Sequence, residues 1–153
     1  MDNINEFLKS EDESKRKGAL LLQILGFENI AKTIGKFDDF DLWATYNHTP
    51  YLIEVKARTT YNLNSFNTHF LEESKLNRLQ KYKGIKKIYL MIYNDGIILF
   101  NINKLSNYKI ENKSLPATTA IKSNNIDKKV INLTPTSNDK IITLSQLRKM
   151  INK

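Results

Sequence analysis

FDLWATY at residues 40–46 and YLIEVKA at residues 51–57 are separated by Asn47-His48-Thr49-Pro50. The two flanks are rich in aromatic and β-branched residues, which suit a pleated surface, and the tetrapeptide between them is turn chemistry. Together they predict a β-hairpin. With the turn centred on His48-Thr49, Asp41 faces Lys56 and Trp43 faces Glu54. Paired positions share a face, as do positions two apart on one strand. Asp41, Glu54 and Lys56 are therefore expected on one face, beside the first helix, with Asp41 and Glu54 as diagonal neighbours roughly 5–8 Å apart at Cβ. Ile53 and Val55 point the other way, into a core.

The remaining elements follow outward from this hairpin. Residues 4–25 read as a helix, with Phe7, Leu8, Leu21, Leu22 and Leu25 at helical spacing and Gly26 as the stop. Residues 27–33 read as a short strand. Residues 59–69, polar with Tyr61 and Phe66, are a connector or a loop that orders on a ligand. Residues 68–83 predict a second helix, capped by Thr68 and ended by Gly84, with Glu72 and Glu73 early and Lys81 and Lys83 late. The apolar run at 87–93 predicts a strand buried on both faces. Asn94-Asp95-Gly96 turns it into a strand at 97–102. After Leu105 the pattern fades: 106–128 is polar and carries Pro116, 130–133 reads as a strand, and Thr143 caps a last helix bearing Leu144, Leu147 and Ile151. The order α-β-β-β-α-β-β predicts one α/β domain over residues 1–153, with a mixed central β-sheet flanked by helices.

Composition narrows the chemistry. The chain has no cysteine, which removes disulfides, thiolate nucleophiles and zinc–cysteine sites, and only two histidines. No apolar run approaches the ~20 residues of a membrane span, and the N-terminal stretch has no signal-peptide core. No membrane partner is expected, and a place inside the cell is. The net charge is +8, divided as −4 over residues 1–54 and +12 over residues 55–153. A polyanion partner fits the basic part; an AT-rich genome's taste for Lys, Asn and Ile fits it too. Two carboxylates at the expected separation of Asp41 and Glu54 can converge on one hard cation. Mg²⁺ takes one or two protein carboxylates together with phosphate oxygens. Lys56 adds a positive charge that can orient a water or offset charge on a phosphate. The competing reading is an ion-pair ladder on a solvated face. No phosphate-binding loop, G-x-S-x-G or H-E-x-x-H occurs.

Phe40-Asp41-Leu42, Ile53-Glu54-Val55-Lys56 and the order of elements around them resemble the PD-(D/E)xK nuclease superfamily, whose members include restriction enzymes, homing endonucleases and Holliday junction resolvases. The resemblance covers roughly residues 11–105, a restriction-endonuclease-like αβββαβ core, and leaves 106–153 as an elaboration. Phe40 stands where the motif has proline, a residue that relatives often lack. The resemblance implies that Asp41 and Glu54 are metal ligands with the Val55 carbonyl as another, and that Lys56 is the catalytic lysine. It implies Mg²⁺ as cofactor, with Mn²⁺ substituting. A glutamate from the first helix would be Glu13 ahead of Glu11, unless both belong to an exposed acidic helix start. A glutamine of the second helix would be Gln80, or that residue lies on the surface; Tyr82 follows it too closely for the RecB-like helix motif. His69 is a general base or a structural histidine, His48 belongs to the turn, and Trp43 and Phe40 are core residues.

Arg58, Lys75, Arg78, Lys81, Lys86 and Lys87 follow the motif, and with Gln80 they are the candidates for DNA contact. The resulting expectation is a Mg²⁺-dependent DNA endonuclease acting as a homodimer, structure-selective like a junction resolvase and of phage or mobile-element origin. It would work in the cytoplasm of a bacterium or a phage-infected host. The alternatives are a site-specific homing or restriction endonuclease, a catalytically inactive nucleic-acid-binding module of the same fold, and a viral interaction protein.

Overall fold

A computed structural model describes residues 14–33, 38–105, 108–118 and 121–152; of residues 116–118 and 121–125 only the backbone course is described. Helix α1 (Ser14–Ile24) leads into β1 (Glu28–Lys32), then β2 (Leu42–Tyr46) and β3 (Thr49–Arg58). Strand β4 (His69–Glu72) runs directly into helix α2 (Glu73–Gln80), followed by β5 (Lys86–Tyr93) and β6 (Gly96–Asn101). The chain ends with β7 (Lys109–Thr118), β8 (Ile121–Leu133), β9 (Lys140–Thr143) and helix α3 (Leu144–Ile151). A six-stranded sheet has the order β1-β2-β3-β5-β6-β9, and a three-stranded sheet has the order β4-β8-β7. The β3–β5 pairing is parallel and every other pairing is antiparallel. The result is an α/β fold with a mixed central sheet flanked by helices.

The β2–β3 hairpin is tighter than the sequence predicts. Asn47 and His48 have φ of 49° and 64°, the two left-handed residues of a two-residue turn. Thr49 and Pro50 therefore belong to β3, and Leu42 pairs with Ile53 rather than with Val55. The register differs from expectation by two residues. Side-chain direction repeats every two residues, so the faces are unchanged. Asp41 moves from a diagonal position to one abreast of Glu54.

Strand β3 divides the core. Ile53 and Val55 face one way and join Leu42, Ala44, Leu90, Ile92 and Ile97 under α1, where Leu22 packs, and under α3, where Leu147 packs. Tyr89, Met91 and Tyr93 of β5 lie abreast of Glu54, Lys56 and Arg58 and face the other way. There they meet Leu71, Leu76, Ile131 and Leu133 from β4, α2 and β8. The described part of α1 thus packs on the reverse of the face that carries Glu54 and Lys56, contrary to the expected placement beside it.

Two further expectations are corrected. Residues 69–72 are strand rather than the first turn of the second helix. His69 and Leu71 are buried and pair with Leu133 and Ile131, while Phe70 and Glu72 face the other way. The period is two because β8 is there to bond them. Residues 109–118 and 121–133 form a long hairpin; the strand expected at 130–133 is its end, and the rest lies where the sequence shows only polar connection. Ile110 and Ile126 are exposed, so no apolar periodicity announces these strands. The last helix starts at Thr143 as expected, with the reciprocal Thr143–Gln146 capping box.

Gly18 lets α1 approach this sheet closely. A Cβ there would lie 2.8 Å from Val55 Cγ2 and 3.1 Å from Leu42 Cδ1. Both partners are buried, and Val55 is β-branched and stiff at χ1. Gly18→Val should destabilise the fold by about 1–3 kcal/mol through overpacking, and combining it with Val55→Ala should recover part of the loss. Urea unfolding of the two variants checks this; equal stability of Gly18→Val and the parent would mean that α1 does not press on β3.

Candidate functional site

Asp41 stands where β2 leaves the ladder. Its backbone N–H still donates to the Ile53 carbonyl at 3.0 Å, while its carboxylate Oδ2 accepts from the Val55 N–H at 2.8 Å. The side chain thereby takes a bond that a backbone carbonyl would otherwise provide, and it is fixed against β3. The approach to Asp41 is secured from both sides. The Thr33 hydroxyl donates to the Phe40 and Asp41 carbonyls, and Lys15 Nζ bonds Thr33 at 2.8 and 2.9 Å. Beyond the end of α2, the Tyr82 hydroxyl donates to Asp39 at 2.8 Å and the Tyr82 ring meets Phe40 edge-on.

Glu54 is 5% exposed. Burial, then the neighbouring Asp41 carboxylate, push its carboxyl up to about 7, against the pull of Lys75. Lys75 Nζ lies 3.2 Å from Glu54 and 3.8 Å from Glu72. Glu72 also receives Lys128 Nζ at 2.8 Å. Burial alone would raise the Glu72 carboxyl, but Lys128, Lys75 and Lys56 bring it below the usual carboxylate range. Burial works to lower the Lys75 ammonium, and Glu54 and Glu72 outweigh it and hold it above its ordinary value. The half-buried Lys56 shares the Glu54 face two residues on. One face of β3 thus gathers the carboxylates of Asp41, Glu54 and Glu72 and the ammoniums of Lys56, Lys75 and Lys128.

The other sequence candidates divide. Lys75 lies inside the acidic cluster rather than on its flank. Arg58 stacks on Phe70, its guanidinium carbon 4.3 Å from the ring centre, and Lys113 Nζ approaches the same ring at 4.5 Å. Arg78 is half-buried, Gln80 is exposed, and Lys81 lies 3.6 Å from Asp39. Val55 turns its side chain to the α1 face and gives its N–H to Asp41. Glu11 and Glu13 lie outside the described residues. His69, on β4, is 5% exposed and hydrogen-bonded to the Tyr93 hydroxyl of β5. Burial, and then Arg58, lower its pKa. It is a core residue, not a group at a helix start. Trp43 and Phe40 are half-buried. The 59–68 connector is tied to the β5–β6 turn through Leu63 N–H to Asp95 and Asn94 N–H to the Tyr61 carbonyl. Sequence reasoning missed Glu72 and Lys128 as neighbours of the site. The four-residue alternation of β4 carried the only signal for the first, and the second reaches the site through tertiary pairing alone.

No group of three or more His, Cys, Asp or Glu side chains with metal-binding geometry occurs among the described residues. Asp41 and Glu54 do form a pair of carboxylates, one of them buried and raised to about 7 by that burial and then by its neighbour. That donor set fits a hard divalent cation, which takes one or two protein carboxylates and completes its shell with water or phosphate oxygen.

No family model matches the chain, and no curated protein matches it. Among solved structures it is similar to the Holliday junction resolvase Hjc of the archaeal hyperthermophile Archaeoglobus fulgidus, at 15% identity over 80% of this chain and 87% of that one, with a TM-score of 0.51. At this identity the likeness concerns the fold: the chain shares the α/β layout of a resolvase. No described helix is long and apolar enough to cross a membrane.

The raised Glu54 pKa has a definite sign. The folded state holds the proton more tightly than the unfolded chain does, so Glu54 contributes stability below pH ~4.5 and loses it as the pH rises through about 7. With a chelator present, the parent should therefore lose up to about 3 kcal/mol relative to Glu54→Gln between those limits. Parallel urea titrations from pH 4.5 to 8 measure this difference; a constant difference would mean that Glu54 ionises normally.

Proposed function

We propose that this chain is a divalent-metal-dependent DNA endonuclease that hydrolyses phosphodiester bonds with structure selectivity, like a junction resolvase. The observation that carries the reading is the pair of carboxylates, Asp41 and Glu54, held together on the face of β3 that also carries Lys56. The likeness in fold to a Holliday junction resolvase and the +12 charge of residues 55–153 support it.

Asp41 and Glu54, with the Val55 carbonyl, would hold Mg²⁺, and Mn²⁺ would substitute. Bound there, the cation would supply Lewis-acid polarisation of the phosphodiester. The chain's own groups do the rest. Asp41 is preorganised by the Val55 N–H. The Lys56 ammonium offsets charge that gathers on phosphorus-bound oxygens as water adds and the P–O bond breaks. Lys75 restrains Glu54, and Glu72 restrains Lys75 in turn. Arg58, Arg78 and Lys81 are the proposed phosphate contacts, with Gln80 beside them, and Glu13 is the proposed additional acid from the first helix. A chain with one site per protomer would cut two strands as a homodimer. A non-catalytic binding module is the second reading. One observation favours it: Lys75 already neutralises Glu54.

A cleavage panel of supercoiled plasmid, linear duplex, single strand, flap and four-way junction tests the proposal. Cutting should require Mg²⁺ or Mn²⁺ and be fastest on the junction. Lys56→Ala should slow cutting roughly 10²–10³-fold, the usual loss for one preorganised charge. Asp41→Asn should also fail, with partial rescue by excess metal. Both variants should bind DNA in Ca²⁺ as the parent does. Wild-type cutting by Lys56→Ala would defeat the mechanism, and absence of cutting on every substrate would leave the binding module. DNA affinity in Ca²⁺ should also fall steeply with salt, by roughly 0.9 in the log–log slope per phosphate neutralised; a flat salt response would exclude a basic contact surface.

A further inference from the structure

At the other end of β3, a cavity of about 680 Å³ opens between the ends of α1 and α3 and the start of β5. One wall is aromatic. Phe27 lies 5.0 Å from the Tyr46 ring and 5.4 Å from the Tyr51 ring, and Lys86 Nζ sits 5.8 Å over Tyr51. Tyr46 is 40% exposed, so the wall presents ring surface. Ile88, Leu99, Ile142 and Met150 continue the apolar lining. The rest is basic and amide-bearing: Lys86, Lys87, Lys104 and Lys140, with Asn101, Asn103 and Asn138. No carboxylate is among the lining residues.

Lys87 departs most from an ordinary surface charge. It is 6% exposed, and its ammonium donates to the Ile85 carbonyl at 3.0 Å. No carboxylate pairs with it among the described residues. Burial lowers its pKa. Its side chain shares the parity of Tyr89 and Met91 and leaves on the face opposite Lys86, so Lys86 and Lys140 are the charges beside the aromatic wall. Asn103 keeps the segment in place by accepting the Lys87 backbone N–H at 2.8 Å.

We infer that this cavity is a nucleotide-binding site, with a base against the Phe27–Tyr46–Tyr51 wall and its phosphate on Lys86 and Lys140. Aromatic rings accept any base by stacking, lysines take phosphate as point charges, and asparagines offer both donors and acceptors to base edges. The volume lies within the range of small-molecule sites. Tyr51 and Lys86 line the cavity and neither Asp41 nor Glu54 does, and its apolar lining belongs mainly to the α1 and α3 side of the sheet. A nucleotide held here is not the one beside Glu54, and the site stands whether or not the chain cuts DNA. The ligand is either an unpaired nucleotide of a strand or a free mononucleotide.

Anisotropy of fluorescein-labelled oligothymidylate, with a chelator present, measures the first source, and calorimetric titration with dTMP measures the second. Tyr46→Ala and the double variant Lys86→Ala/Lys140→Ala alter exposed side chains. Each should weaken binding roughly tenfold or more. Lys32→Ala, which removes one charge abreast of Leu42 at the opposite end of the hairpin, should change it less than twofold. Tight binding of the oligonucleotide with weak binding of dTMP assigns a strand; comparable affinities assign a free nucleotide. The inference is overturned if neither probe binds, if the cavity variants bind as the parent does, or if they dissolve a dimer of the chain while leaving nucleotide affinity unchanged. Circular dichroism of each variant confirms its fold.

Discussion

Parallel pairing of β3 with β5 governs the arrangement of the molecule. Two parallel neighbours cannot be joined by a turn, so the chain must leave the end of β3 and cross a face of the sheet to begin β5 beside Tyr51. That crossing contains β4 and α2. It covers the Glu54 face and leaves the Val55 face to α1 and α3. Glu72 and Lys75 reach the site because they lie at the junction of β4 and α2, where the crossing passes above Glu54. The same crossing brings Leu71 and Leu76 onto Tyr89 and Met91, so apolar burial and the gathering of charge share one piece of backbone.

The charges that result restrain one another. Asp41 and Glu54 repel, and burial increases the penalty because little water screens them. The structure answers in two ways. Asp41 is fixed by the Val55 N–H, and the Glu54 carboxyl is raised to about 7, first by burial and then by Asp41. Lys75 is shared between Glu54 and Glu72, and Lys128 secures the outer side of Glu72. The site is therefore more nearly neutral than its carboxylates alone imply, and its side chains are held by one another rather than by solvent.

Much of this was legible in the sequence because it depends on parity. Asp41, Glu54 and Lys56 share a face under any register that shifts by an even number of residues, so an error of two in the hairpin left the grouping intact. The apolar run of β5 and the turn at Asn94-Asp95-Gly96 were equally plain. Failures came where a distant partner decides local structure. Residues 69–72 continue a helical sequence, and only β8 makes them a strand. Strands β7 and β8 pair mostly with each other, and their described side chains before Val130 are largely exposed, so a period was available to read only at 130–133. The nearness of Lys128 to Glu72 could be found only after that sheet was in place.

Strand β8 has a further consequence, for the order in which the molecule can be completed. Hairpin β2–β3 and strands β5 and β6 are built from contacts close in sequence. The sheet that closes the Glu54 face needs β8, and β6 waits for β9, both from the last third of the chain. Loop-closure entropy makes such distant pairings late events in folding. On a ribosome, which releases the chain from its N-terminus, Asp41 and Glu54 emerge long before Lys128 and β8. The acidic pair is thus exposed to water first and enclosed last, and a nascent chain carries the two carboxylates without the cover that organises them.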